Sequence, residues 1–185
     1  MRKLIYSINI TLDGCCDHTK GMAGDDVHAY FTDLLRQVDV FVYGRKTYEL
    51  MVPFWPDVAK NHTGPADSLS EFAEAFIAVK KIVVFSRTLE KATDPNVKII
   101  NTDLREAILT LKQEEGGDML LGGVDLPSQL MELDLIDEYR IMVQPLIVGE
   151  GRRLFDSVSL PEKLQLKLAE SKTLKSGCIA LHYVR

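Results

Sequence analysis

At 185 residues the chain has the length of one domain, spanning 1–185, with enough sequence to bury a sizeable core. Its 46% hydrophobic and 26% charged residues are ordinary globular composition, and no apolar run reaches the ~18 residues of a membrane-spanning helix. The formal charge of −5 argues against nucleic acid as a main partner, because neutralising phosphates needs a basic face. The N-terminus lacks a signal-peptide core, so a cytoplasmic location is expected, with no membrane partner.

Residues 3–10 read as a short strand, and "TLDGCCDHTKGMAGDD" after it is a long loop of the kind that often binds ligands. Apolar residues at Val27, Tyr30, Phe31, Leu34, Leu35 and Val38 predict a helix over 27–37, with Asp25 or Asp26 placed to cap it. "VDVFVYG" is a buried strand, and a helix begins with "GRKTYE". Between Pro53 and Pro65 the chain reads as turn-rich. "SLSEFAEAFIAVKK" is a further helix, with Ser68 and Glu71 in capping-box spacing.

"KIVVFSRTL" contains another buried strand, and 97–101 a short one. Leu104, Ile108 and Leu111 mark a helix ending near Gly116. "DMLLGG" is a strand running into paired glycines, followed by a helix over 125–133 with Asp125 as a possible cap and Pro127 in its first turn. Tyr139, Ile141 and Val143 alternate as in a strand. Leu164, Leu166 and Leu168, a polar turn at Ser176 and Gly177, and "CIALHYV" predict a C-terminal antiparallel hairpin. The order implies an α/β fold with a mainly parallel sheet finished by that hairpin.

Three strand ends carry anion-friendly residues. Gly44, Arg45, Lys46 and Thr47 open a helix, where free N–H groups, a hydroxyl and cations suit phosphate oxygens. Ser86 and Arg87 follow a second strand, and Gly122 and Gly123 a third, where missing side chains let a pyrophosphate reach the backbone. Each stretch also reads as an ordinary turn, and none is a Walker or G-x-G-x-x-G loop. Three such ends in an acidic chain favour a dinucleotide over a single small anion. The three cysteines, Cys15, Cys16 and Cys178, make no disulfide framework or metal-ligand spacing. They read as reduced thiols packed as small apolar groups, or, at Cys15 and Cys16, as a reactive thiol near a site.

"TLDG", "GRKTYE", "FSR", "GG" before a helix and "LIDEYRIMVQPLIVGEGRRLF", in this order, resemble the dihydrofolate reductase-like superfamily. The likeness is greatest to the branch that includes the reductase domain of the bacterial riboflavin-biosynthesis deaminase/reductase. The resemblance implies a three-layer sandwich around a mixed sheet of about eight strands, NADPH as cofactor, and often a homodimer. It implies that Gly44, Arg45, Lys46, Thr47, Gly122, Gly123 and Val124 hold the pyrophosphate side, and that Ser86 and Arg87 join Arg45 at the ribose phosphate. Thr11 and Gly14 would flank the nicotinamide, with Leu12 beside substrate.

Hydride transfer to a C=N or C=O carbon of a small heterocycle then needs a proton, for which Asp13, Asp26 and His28 are the candidates. Each also has a plainer role, as turn former, helix cap and surface residue respectively. Dihydrofolate reductases carry an acid on the first helix where His28 falls here. Trp55, in "PFWP", can stack on a flat ring or plug the core. A protein of the same fold that binds NADP without turnover is the alternative.

Overall fold

The computed structural model describes residues 1–185 apart from Ala23, Thr93 and Pro161. Ala23 belongs to the loop after the first strand, so that part of the loop lies outside the described residues. Eight strands form one sheet: β1 (Leu4–Thr11), β2 (Val38–Gly44), β3 (Lys81–Phe85), β4 (Val97–Ile100), β5 (Asp118–Leu121), β6 (Glu138–Gln144), β7 (Lys167–Thr173) and β8 (Ile179–Val184). Five helices accompany them: α1 (Asp25–Leu35), α2 (Arg45–Asn61), α3 (Ser68–Ile77), α4 (Leu104–Gln113) and α5 (Asp125–Glu132). The strand order is β4-β3-β2-β5-β1-β6-β8-β7. All pairs from β4 to β6 are parallel; β8 runs antiparallel to β6 and to β7.

The alternation of side chains along β2 explains the layers. Val40 and Val42 point to one face, where Ile108 and Leu111 of α4 and Leu126 and Leu130 of α5 pack on them. Phe41 and Tyr43 point to the other, against Leu34 and Leu35 of α1, Tyr48 of α2 and Phe72 and Phe76 of α3. Both faces being covered, the strand reads as a continuous apolar run. This is the α/β three-layer sandwich with a mixed, mainly parallel sheet and a C-terminal antiparallel hairpin that the sequence implies.

Several local expectations shift. The stretch after Pro53 is helical as far as Asn61, although Pro53 and Pro56 withhold the amide donors that the Glu49 and Val52 carbonyls would use. Tyr48, Met51, Val52 and Trp55 recur on one face and pack on the core, and burial of about 1.5–3 kcal/mol per fully covered side chain sustains the helix. The capping box of α3 lies one residue earlier than Ser68 and Glu71. Asp67 accepts from the Ser70 amide at 2.8 Å, and the Ser70 hydroxyl accepts from the Asp67 amide at 2.9 Å. Ser68 instead donates to Asp25 at 2.7 Å, tying α3 to α1.

Neither Asp25 nor Asp26 caps α1, whose N-cap is Gly24. Asp26 accepts from the Ser176 amide at 2.7 Å, so it anchors α1 to the β7–β8 turn. The N-cap of α5 is Val124, which leaves Asp125 inside the first turn. The hairpin starts at Lys167, so Leu164 and Leu166 precede it and pack on the core from outside the sheet.

Candidate functional site

Because β1, β2, β3 and β5 are parallel, their carboxyl ends open on one edge, and a cavity of about 1330 Å³ lies there. Gly44 to Thr47, Ser86 to Thr88 and Gly122 to Leu126 all line it. Three stretches separated in sequence by roughly forty residues each thus face one space, which no single motif predicts.

The paired glycines are held by close contacts. Gly123 has φ +92°, and a Cβ there would stand 2.3 Å from the Thr47 hydroxyl oxygen. A Cβ on Gly122 would meet the Tyr43 ring at 2.9 Å. The Tyr6 hydroxyl donates to the Gly123 carbonyl at 2.9 Å, fixing the turn from below. The first turns of α2 and α5 border the cavity, and neither has a side-chain cap. By contrast, Asp67 and Asp103 cap α3 and α4. The unpaired amides at α2 and α5 are therefore available to an anion, and the backbone is bare enough to let one approach. These features fit a dinucleotide's pyrophosphate.

The cations at this edge are held by carboxylates. Arg45 pairs with Glu49 at 3.0 Å, one turn along α2. Asp125 takes Arg152 at 2.5 Å and Lys46 at 3.7 Å, and the Arg152 hydrogen bond holds its carboxyl below the usual carboxylate range. All these groups are substantially exposed, so each pair contributes about 0–1 kcal/mol and yields readily to a stronger anion. Arg87 is exposed at the rim. The Ser86 oxygen accepts from the Thr88 and Leu89 amides, leaving its O–H free to donate.

At the end of β1, Thr11 is buried and lines the cavity, whereas Leu12, Asp13 and Gly14 do not. Leu12 is 64% exposed. Asp13 is engaged by the Thr11 hydroxyl at 2.6 Å and by the amides of Gly149 at 2.9 Å and Val148 at 3.3 Å. The Thr11 bond first, and then the Gly149 amide, hold its pKa down to about 2. Gly14 has φ +83° and offers its carbonyl to the Leu154 amide. Asp13 and Gly14 thus join the first loop to the Gly149 to Leu154 segment.

Of the proton-donor candidates, Asp13 and Asp26 lie outside the cavity lining and only His28 faces it. Burial lowers the His28 pKa, leaving the imidazole neutral at pH 7. Trp55 lines the same side, with ring centroids 6.2 Å from His28 and 4.3 Å from Phe72. Sequence reasoning treated Phe31, Phe72 and Phe76 as helix-core positions, yet they also line the cavity; periodicity marks a buried face without saying that it continues into a pocket. Arg152 was legible only as part of a Gly-rich turn.

Cys16 also lines the cavity, its thiol donating to the Arg152 carbonyl at 3.3 Å, while Cys15 and Cys178 are buried; all three are free. Burial pushes the Cys16 thiol up, which disfavours the nucleophilic thiolate. Among the described residues no helix is long and apolar enough to cross a membrane.

The model of the RibD C-terminal domain family matches residues 2–180. The uncharacterized protein YyaP of Bacillus subtilis is 32% identical over 186 residues, covering 98% of this chain and 94% of the relative. A putative riboflavin biosynthesis protein from a Shewanella species shares the fold with a TM-score of 0.74 at 22% identity, over 99% of this chain and 98% of that one. The bifunctional diaminohydroxyphosphoribosylaminopyrimidine deaminase/5-amino-6-(5-phosphoribosylamino)uracil reductase of Thermotoga maritima does so at 0.69 and 17%, over 99% of this chain and 56% of that one. The strand ends, the glycine turn and the match along nearly the whole chain agree: the protein belongs to the RibD C-terminal domain family.

Proposed function

We propose that the protein is an NADPH-dependent reductase that transfers a hydride to a C=N or C=O carbon of a small heterocycle. The observation that carries this reading is the convergence of Gly44 to Thr47, Ser86 to Thr88 and Gly122 to Leu126 on one cavity, with Gly123 pressed against Thr47. NADPH, when bound, supplies the hydride. The amides opening α2 and α5 and the Thr47 hydroxyl bind the pyrophosphate, while Arg45 and Arg87 hold the additional ribose phosphate that separates NADPH from NADH. Thr11 stands at the nicotinamide end. His28 is the one proton-donor candidate on the cavity wall, and being neutral it acts through its N–H or relays a proton from water.

A second reading, an NADP-binding protein without turnover, draws support from Asp13 and Asp26, whose carboxylates are already occupied by backbone amides. This reading of the chain also makes it a cytoplasmic homodimer, engaging neither nucleic acid nor membrane; a monomer in sedimentation velocity would remove the dimer.

Titration of NADPH against Trp55 fluorescence, with NADH as control, tests the cofactor. Saturation below ~100 μM is expected, within the usual range for enzyme ligands. Arg45→Ala and Arg87→Ala weaken NADPH more than NADH, by about tenfold for each lost charge-assisted phosphate contact. Equal losses for both cofactors defeat the ribose-phosphate assignment. His28→Gln leaves NADPH affinity unchanged and lowers turnover; NADPH binding with no oxidation of any heterocycle selects the second reading.

A further inference from the structure

The cavity has two unlike walls. Every Lys, Arg, Asp and Glu residue that lines it lies on the strand-end side or the neighbouring loops: Asp17, Arg45, Lys46, Arg87, Asp125 and Arg152. The opposite wall is built by α1, α2 and α3, and its rings touch in series. Phe54 and Trp55 lie 4.9 Å apart, Trp55 and Phe72 4.3 Å, and Phe72 and His28 5.9 Å. Along α2, Phe54 stands nine residues beyond Arg45, about 13 Å at 1.5 Å per residue. Arg45 itself is turned to Glu49.

This wall has few polar groups. The Trp55 indole nitrogen is buried and has no hydrogen-bond partner among the described residues. The carboxylates that act on His28, Asp25 and Asp67, lie behind the wall and add negative charge to its surroundings. Stripping water from a phosphate or carboxylate here, with no cation to replace it, is strongly unfavourable. A flat ring meets only aromatic faces, and one acceptor on it can take the orphaned Trp55 N–H.

We infer that the aromatic wall of the cavity takes a flat, uncharged bicyclic heteroaromatic ring bearing neither phosphate nor carboxylate. The inference rests on the proposed reading of the strand-end wall as the cofactor's place, and it separates this chain's substrate from phosphoribosyl pyrimidines.

Calorimetric titration of quinazoline, quinazoline-2-carboxylate and a ribosylaminopyrimidine 5′-phosphate, each with and without saturating NADP+, tests it. Quinazoline is expected to bind about tenfold or more tightly than either anion, the difference expected when a charged group is left unpaired. Trp55→Phe, which keeps the aromatic face and removes the donor, weakens quinazoline; Met51→Arg, which adds a cation to the wall, reverses the preference. Equal or tighter binding of either anion to the wild-type chain in NADP+, or no binding of quinazoline, overturns the inference. Quinazoline binding without any NADP+ binding leaves it standing and removes the cofactor reading instead, so the two fail separately.

Discussion

Gly123 and Gly44 are both bare positions on the cavity edge, but they are bare for different reasons. At Gly123 the backbone has φ +92° and a Cβ would collide with the Thr47 oxygen. Gly44 has φ −80°, and a Cβ there would find only Leu126 at 3.7 Å. Gly123→Ala is therefore expected to lose about 1–3 kcal/mol of stability from backbone strain alone, together with NADPH affinity. Gly44→Ala should fold within about 1 kcal/mol of the parent, as denaturant titration of both variants will show. Asp13 illustrates a carboxylate whose work is structural. Its folded pKa, about 2, lies below the ordinary 3.8, so its bonds stabilise the fold fully above the ordinary value and are lost as pH falls through about 2. Asp13→Asn should accordingly lower the thermal midpoint at pH 5, and the gap to the parent should close as pH approaches 2.

Among the elements, α2 carries both halves of the candidate site: its first turn faces the strand-end wall and its middle supplies Phe54 and Trp55. The prolines between make it an imperfect helix, because two carbonyls lack intrahelical donors. Pro53→Ala restores a donor to the Glu49 carbonyl. An interior proline costs about 3 kcal/mol, whereas the proline's restriction of the unfolded chain is worth only about 0.4–1 kcal/mol. A net gain of up to ~2 kcal/mol in unfolding free energy is expected, and an unchanged or lower value would mean that packing has already absorbed the proline's cost. The sequence made this helix hard to see: Pro53, Pro56 and Pro65 speak for turns, and only contact with the core reveals that Tyr48, Met51, Val52 and Trp55 share a buried face. The capping box of α3 was misplaced by one residue for a smaller reason. Ser68 and Asp67 both favour an N-cap, and the choice depends on Ser68 being drawn off by Asp25.

Across the whole molecule, the parallel half of the sheet presents its strand ends to the cavity, and the antiparallel half closes the opposite edge. Every residue of β7 is exposed, and Lys167, Glu170 and Lys172 put charges along an unpaired edge, which discourages strand addition. A ligand that spans the strand-end wall should therefore act on distant segments together. Bound NADPH is expected to slow amide exchange at 44–47, 86–88 and 122–126 in concert and to leave 167–173 unchanged. At a concentration one hundred times Kd the same binding raises stability by about 2.7 kcal/mol. Protection confined to one of the three segments would contradict a shared site.

By itself the sequence determined the alternation of strands and helices, the C-terminal hairpin and the glycine- and cation-rich character of three strand ends. These are local properties, written in side-chain periodicity and in the backbone freedom of particular residues. Only the tertiary structure decided that the three ends share one cavity, that Asp125 holds Lys46 and Arg152, and that Asp13 and Asp26 spend their carboxylates on backbone amides far along the chain. It also turned Phe72 and Trp55 from core positions into one wall of that cavity. The reason is physical: a side chain's type limits what it can do, but its partners come from elements that are distant in sequence, and the sheet order alone brings them together.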